Sequence, residues 1–386
     1  MTGLMGEETV TAQAHPDPAA IASVIVAVQS AGIRLETSVE TRTGGAGPTD
    51  AGMLWIEGFP VTVPTTAGSP YVLRAEDNGA QGLYRDGERL ASVTGARRPR
   101  FYDRTTADGT PYWKIALLHL DSLASTVVQA CNYWNTADQC AFCGIGVSLD
   151  AGSTVARKTP EQLAEVAVAA KELDGAVDAT LTTGSSVAPD RGARYVARCG
   201  RAVKDAAGLP VEIQFEPPRD PAILDEVHGT GGADAVGIHV ETFDPDVLAR
   251  VAPGKARTGL DTYYRTWERA VALWGRGRVS TYVILGLGED PELTIEGCRR
   301  AVDVGVYPFL VPLRPVAGSL LADATPPDAA YTDRVYQKVA AYMTERKMSS
   351  ADAVAGCARC QACSALNAVQ PLLQIGRRPG SSGARS

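Results

Sequence analysis

Eight cysteines stand in this 386-residue chain, and six of them fall into two tight groups. The first group reads Cys131-Asn132-Tyr133-Trp134-Asn135-Thr136-Ala137-Asp138-Gln139-Cys140-Ala141-Phe142-Cys143, a spacing of C-x8-C-x2-C. It follows the β-branched run Ser125-Thr126-Val127-Val128-Gln129, which reads as a strand. The thiols therefore belong to a loop at the carboxyl end of a first strand, the edge at which barrel enzymes do their chemistry. Three thiolates are one short of a tetrahedral set. An iron–sulfur cube held by three cysteines keeps one iron open, and an open iron can bind a small molecule. A zinc knuckle or a redox CxxC pair competes for the same residues. The second group, Cys357-Ala358-Arg359-Cys360-Gln361-Ala362-Cys363, also offers three thiols, and no cysteine or histidine follows it. It suits an auxiliary iron–sulfur cluster, with zinc or redox thiols as the alternative. Cys199 and Cys298 stand alone inside helical patterns and read as small buried apolar groups.

The elements that must position these thiols change character along the chain. Residues 1–18 are polar and Pro/Ala-rich, which predicts a flexible terminus. Residues 19–122 open with a helix stopped near Gly32 and continue as short alternating runs parted by turns such as Arg85-Asp86-Gly87, a small β-rich domain. From 123 to 330 strands and helices alternate six times, with a capping box at Thr159-Pro160-Glu161-Gln162. The pattern predicts an α/β chain whose core is a parallel, right-handed partial (βα)6 barrel of the TIM type. Residues 331–370 add a helix and the second cysteine group as a C-terminal cluster-binding extension. The Gly/Ser/Arg-rich residues 371–386 read as a disordered tail.

Several polar residues fall at the carboxyl ends of the expected strands. Thr183-Gly184-Ser185 follows the second; its glycine permits a close backbone approach and its hydroxyls can bind polar groups, although a plain βα turn would look the same. Glu216 follows the third, a carboxylate suited to ribose hydroxyls or an ammonium group. His239 ends the fourth as a candidate proton carrier or substrate contact. Arg314 follows the sixth, where it would hold an anionic substrate. His119 and His228 read as structural.

The net charge is −7 with no long basic run, which argues against a nucleic-acid partner. No basic-then-apolar leader and no bilayer-length apolar run is visible, so the expectation is a cytoplasmic protein without a membrane partner. In that compartment eight cysteines point to metal ligation before disulfides.

With its aromatic Phe142 just before the last cysteine, Cys140-Ala141-Phe142-Cys143 resembles the second half of the cysteine motif of the radical SAM superfamily. The first interval is five residues longer than that family's usual C-x3-C-x2-C. The resemblance implies a [4Fe-4S] cluster on Cys131, Cys140 and Cys143, whose open iron chelates S-adenosylmethionine and whose electron gives a 5′-deoxyadenosyl radical. It also implies cofactor contacts from Phe142, from Thr183-Gly184-Ser185, from Glu216 and from Glu241 within His239-Val240-Glu241-Thr242. Arg265 would take the cofactor carboxylate, and the Gly286-Leu287-Gly288 stretch would pack on adenine. Cys357, Cys360 and Cys363 would hold a second, auxiliary cluster able to anchor substrate, carry an electron or surrender sulfide. Over most of its length the chain is similar to the radical SAM family of nitrilase-linked gene clusters, through Cys140–Gly146, Thr154–Pro160, Leu181–Gly184, Gln214–Pro218, Val279–Tyr282 and Gly356–Cys360. The alternative is a sulfur-inserting radical SAM enzyme of natural-product biosynthesis, such as the sulfur-for-oxygen enzyme of albomycin assembly. The resulting expectation is hydrogen abstraction from a small polar substrate followed by sulfur insertion, with flavodoxin or ferredoxin as electron donor. An oxidoreductase or lyase, and a zinc-stabilised binding protein, are the alternatives.

Overall fold

Thirteen strands form two sheets among residues 17–41 and 51–375, the part of the chain that the computed structural model describes. The expected flexible terminus, apart from its last two residues, and most of the Gly/Ser/Arg-rich tail lie outside these residues. The amino-terminal sheet holds β1 (Arg34–Leu35), β2 (Gly52–Ile56), β3 (Phe59–Val63), β4 (Tyr71–Ala75), β5 (Gln81–Arg85) and β6 (Glu88–Gly95), in the order β1-β4-β5-β6-β2-β3. Asp86 and Gly87 both take positive φ in the turn joining β5 to β6, the conformation that matches strand twist in a tight hairpin.

The second sheet holds β7 (Leu117–His119), β8 (Ser122–Val128), β9 (Asp178–Thr183), β10 (Val211–Gln214), β11 (Ala235–Gly237), β12 (Val279–Leu285) and β13 (Val306–Pro312). Neighbours run β13-β12-β11-β10-β9-β8-β7, parallel from β8 to β13, and only the β7–β8 hairpin is antiparallel. The ends of this order are not joined to each other among the described residues. Buried β-branched and aromatic runs such as Val279–Leu285 and Val306–Pro312 fit a sheet covered on both faces.

Local signals set the helix ends. Thr159 caps helix Pro160–Asp174 in a reciprocal capping box with Gln162, and Gly175 closes it in the left-handed region. Asp17, Asp244 and Asp290 cap the helices that follow them, each with proline at the first turn. One buried apolar core runs from Ile21 through both sheets to Val369. Helix Pro18–Ala31 packs on helices Ala329–Glu345 and Leu366–Ile375, so the two ends of the described chain share that core.

Three boundaries differ from the sequence pattern. The β7–β8 hairpin straddles the division at 122/123, because β7 adds to the parallel sheet and not to the amino-terminal one. β11 stops at Gly237, short of the apolar run to Val240, although Glu241, at φ 71°, still bridges Val283 of β12. A further helix, Leu366–Ile375, crosses the expected start of the tail at 371, because Val369 and its neighbours bury in the shared core.

Candidate active site

Cys131 lies three residues past the end of β8. The eight residues between it and Cys140 fold back as successive turns, with Trp134 N–H donating to Cys131 O, Thr136 N–H to Tyr133 O and Gln139 N–H to Thr136 O. The Gln139 side-chain carbonyl caps this fold by accepting from Asn135 N–H at 2.9 Å. The long first interval is thereby compressed, and Cys131, Cys140 and Cys143 line one cavity of about 290 Å³. Backbone bonds clamp the Cys140–Cys143 turn: Ala141 N–H donates to Val251 O at 2.7 Å, and Leu321 N–H to Ala141 O at 3.0 Å.

Of the residues singled out by sequence, Phe142, Thr183, Gly184, Ser185, Glu216, His239 and Glu241 line this same cavity. Gly184 is required there, because a Cβ would sit 2.0 Å from Ala130 O. Glu216 is buried and already occupied: it accepts from Tyr133 Oη at 2.9 Å, Thr258 Oγ1 at 3.2 Å and the Ser185 hydroxyl. It therefore ties the first cysteine loop to the turn after β9. Glu241 is paired with Lys255, whose ammonium also donates to His239 O at 3.0 Å. Burial works against the Lys255 cation, but the Glu241 carboxylate outweighs it and holds that pKa well above 10.5.

His239 accepts from Tyr282 N–H at its Nδ1 (3.2 Å), which puts the proton on Nε2, and that buried atom has no partner among the described residues. Burial, reinforced by Lys255, pushes its pKa down to about 3, so the ring is neutral and offers one N–H donor. Burial raises the Cys140 thiol well above its usual value and the Cys143 thiol to about 11. These thiols ionise only if a positive centre joins them, as metal ligation requires.

Three expected positions lie elsewhere. Arg265 is exposed on helix Leu260–Trp274 and donates to Thr262 Oγ1, because its register on the helix points it to solvent. Gly286 does not line the cavity; Pro327 closes against it. Arg314 faces the other thiol trio, 3.9 Å from Cys363 Sγ and 2.5 Å from Thr62 O, held there by β3. Lys255 and Tyr133, which also line the cavity, are not marked by the strand pattern. Lys255 sits in the short helix Pro253–Ala256, and only its place beside an acidic strand end could have marked it.

Cys357, Cys360 and Cys363 line a second cavity of about 210 Å³. Thr126, Thr182 and Gln214 line both cavities, so the two trios open onto cavities that share these three side chains. The second trio is docked by buried charge. Gly356 N–H donates to Asp178 at 2.7 Å and Cys357 N–H to Glu212 at 3.0 Å, while Arg359 pairs with Asp178 and Asp121. A Cβ on Gly356, whose φ is 84°, would stand 1.8 Å from Glu212 Oε2. Burial raises the pKa of both carboxyls, more than Arg359 offsets at Asp178 and more than the Ser280 hydroxyl offsets at Glu212. Tyr282 links the cavities: its hydroxyl donates to Cys357 Sγ at 2.8 Å and its ring stacks on His239 at 4.4 Å. His119, expected to be structural, lines this second cavity. Cys199 and Cys298 are fully buried, as apolar groups would be. No three His, Cys, Asp or Glu side chains among the described residues are arranged to hold a single metal ion. No helix among the described residues is long and apolar enough to cross a membrane.

Residues 128–302 match the family model of the radical SAM superfamily, a segment that holds the first trio and not the second. The chain is 28% identical over 241 residues to bacteriochlorophyllide c C-7(1)-hydroxylase of Chlorobaculum limnaeum, a match covering 55% of this chain and 57% of that protein. Among solved structures it is similar to a radical SAM methyltransferase from Sphaerobacter thermophilus, at 16% identity and TM-score 0.46 over 79% of this chain and 83% of that one. Methylornithine synthase aligns at 19% identity and TM-score 0.45, over 59% of this chain and 63% of that one.

Proposed function

The chain carries a radical SAM superfamily domain, and from that premise we propose an enzyme that generates a radical in the first cavity and spends it on a small polar substrate held between the two thiol trios. The support is the shared wall: Thr126, Thr182 and Gln214 border both cavities, so a substrate seated on them lies between the trios. Cys131, Cys140 and Cys143 fit a [4Fe-4S] cluster, since the three thiols line one cavity with an unpartnered His239 N–H, and burial raises the pKa of Cys140 and Cys143. When bound, that cluster supplies the electron, delivered by a flavodoxin or ferredoxin, that splits S-adenosylmethionine into methionine and a 5′-deoxyadenosyl radical.

The chain's own residues orient and protect. Gly184 lets the turn after β9 close against Ala130, beside the cysteine loop. The buried Lys255–Glu241 pair presents fixed charge to the cavity and needs no water to stabilise it. His239 offers Nε2–H to an acceptor on cofactor or substrate, and stacking on Tyr282 fixes its ring plane. The apolar wall of Phe142, Ile145 and Phe215 keeps water from a radical centre.

The further step in this reading is sulfur insertion, with an auxiliary iron–sulfur cluster on Cys357, Cys360 and Cys363 as the source. A second reading, in which that cluster only moves electrons, draws on Tyr282, which touches Cys357 and stacks on His239. The test is anaerobic reconstitution followed by reduction with S-adenosylmethionine present. Formation of 5′-deoxyadenosine that is lost in Cys140→Ala supports the radical reading; none from a protein replete in iron and sulfide refutes it. Protein rebuilt with ³⁴S-sulfide and given a small-molecule extract should release a ³⁴S-labelled product at about one equivalent. Continued turnover without label refutes sulfur insertion and leaves the electron-carrying role.

A further inference from the structure

The second trio is one ligand short in sequence, and the structure supplies a candidate from far away. His119 ends β7 and lines the second cavity with Cys357, Cys360 and Cys363. Its Nδ1 stands 3.7 Å from Cys360 Sγ. Two ligands on one tetrahedral metal, with sulfur at about 2.3 Å and imidazole nitrogen at about 2.05 Å, are separated by about 3.6 Å. Cys360 and His119 therefore already stand at the spacing of two ligands on one metal. No third His, Cys, Asp or Glu among the described residues joins them closely enough to complete a single-ion site. In a group of two or more metals, Cys357 and Cys363 would then serve a second one.

The other ring nitrogen is fixed. His119 Nε2 lies 2.8 Å from Thr62 Oγ1. In the Nε2–H tautomer that bond orients the ring and leaves the Nδ1 lone pair toward Cys360, the arrangement found behind most metal-bound histidines. Thr62 is held on both flanks: its N–H donates to Ala362 O at 2.6 Å, and its carbonyl accepts from Arg314 at 2.5 Å. The amino-terminal sheet thereby grips the cysteine loop and the histidine at once. Arg314 is a poor rival, since its guanidinium already donates to Thr62 O.

We propose that His119 is the fourth protein ligand of a polynuclear iron–sulfur group on Cys357, Cys360 and Cys363, bound through Nδ1 to the metal that also carries Cys360, with Thr62 as its positioning residue. This rests on reading the second trio as an iron–sulfur site, and goes beyond it in closing the position that the three cysteines leave open.

The test is pulsed EPR on the full chain carrying Cys131→Ala, Cys140→Ala and Cys143→Ala, reconstituted with iron and sulfide and then reduced, with natural and with ¹⁵N-labelled histidine. The expected result is a strong nitrogen coupling that changes with the isotope and vanishes in His119→Cys, while iron and sulfide content stay within about 20% of the parent. An iron–sulfur signal without histidine coupling, or a coupling that survives His119→Cys, overturns the proposal. Should the triple variant not fold, the difference between the otherwise intact chain and its His119→Cys form isolates the same coupling. Zinc without sulfide at this trio would instead refute the underlying iron–sulfur reading. X-ray absorption at the zinc edge would then show whether a nitrogen at about 2.0–2.1 Å is present.

Discussion

The two thiol trios differ in what holds them. The first is a largely buried turn fixed by backbone hydrogen bonds from Ala141 and Leu321, with the charged pair Lys255–Glu241 beside it. The second is pinned by Asp178, Glu212, Arg359 and Asp121, and by His119 and Thr62 from the amino-terminal half. A group that must exchange ligands during turnover gains from a cavity with room beside it. A group that stays in place gains from buried charge and a full set of protein ligands. The difference teaches that equal sequence spacing, C-x2-C in both, does not imply equal duty.

The contrast can be broken most strongly at the first trio. Cys140→Ala should lower 5′-deoxyadenosine formation by at least about 10³-fold, or ~4 kcal/mol in barrier, while iron retained at the second trio stays near one group per chain. Loss of both groups together would show that the trios are not independent.

Next comes the docking of the second trio. Arg359→Ala leaves Asp178 buried without its cation. Breaking such a pair costs about 3–5 kcal/mol, so chemical denaturation should show that loss, with loss of the second group's iron and little change at the first.

An acid titration sharpens the comparison from the other side. The folded chain keeps His239 neutral down to about pH 3, while the unfolded chain takes up the proton near 6.5. Its folded pKa is depressed, so the associated stability is present above 6.5 and is lost as pH falls toward 3. Between pH 7.5 and 5 the loss is about 2 kcal/mol. The His239→Phe variant should lose less stability over that interval, measured by denaturant midpoints; equal slopes for both proteins would contradict it.

The smallest effect belongs to Thr62→Val. Removing the hydroxyl opposite His119 Nε2 should cost about 1 kcal/mol and shift the EPR of the second group without altering 5′-deoxyadenosine formation.

Much of the fold is legible in the chain because local signals agree with it. The capping box at Thr159, the β-branched run 279–285 and the Arg85-Asp86-Gly87 turn each dictate an element with local chemistry alone. The cysteine spacing likewise marks both trios. What stays hidden is long-range. Arg265 lies on the solvent face of its helix, and a shift of one residue along a helix turns a side chain by 100°. Arg314 is drawn to Thr62, 252 residues away, and His119 reaches Cys360 across 241 residues. Lys255 enters the site through a four-residue helix with no periodic signal. Pairings of that kind follow from how the amino-terminal sheet closes on the C-terminal loop, which no local pattern encodes.

The most direct test of the division between the trios is EPR of the reduced, doubly reconstituted protein with and without S-adenosylmethionine. Two signals are expected, and only the one removed by Cys140→Ala should change when the cofactor is added. Zinc at Cys131, Cys140 and Cys143, or a cofactor-induced change in the signal that depends on Cys357, would contradict it.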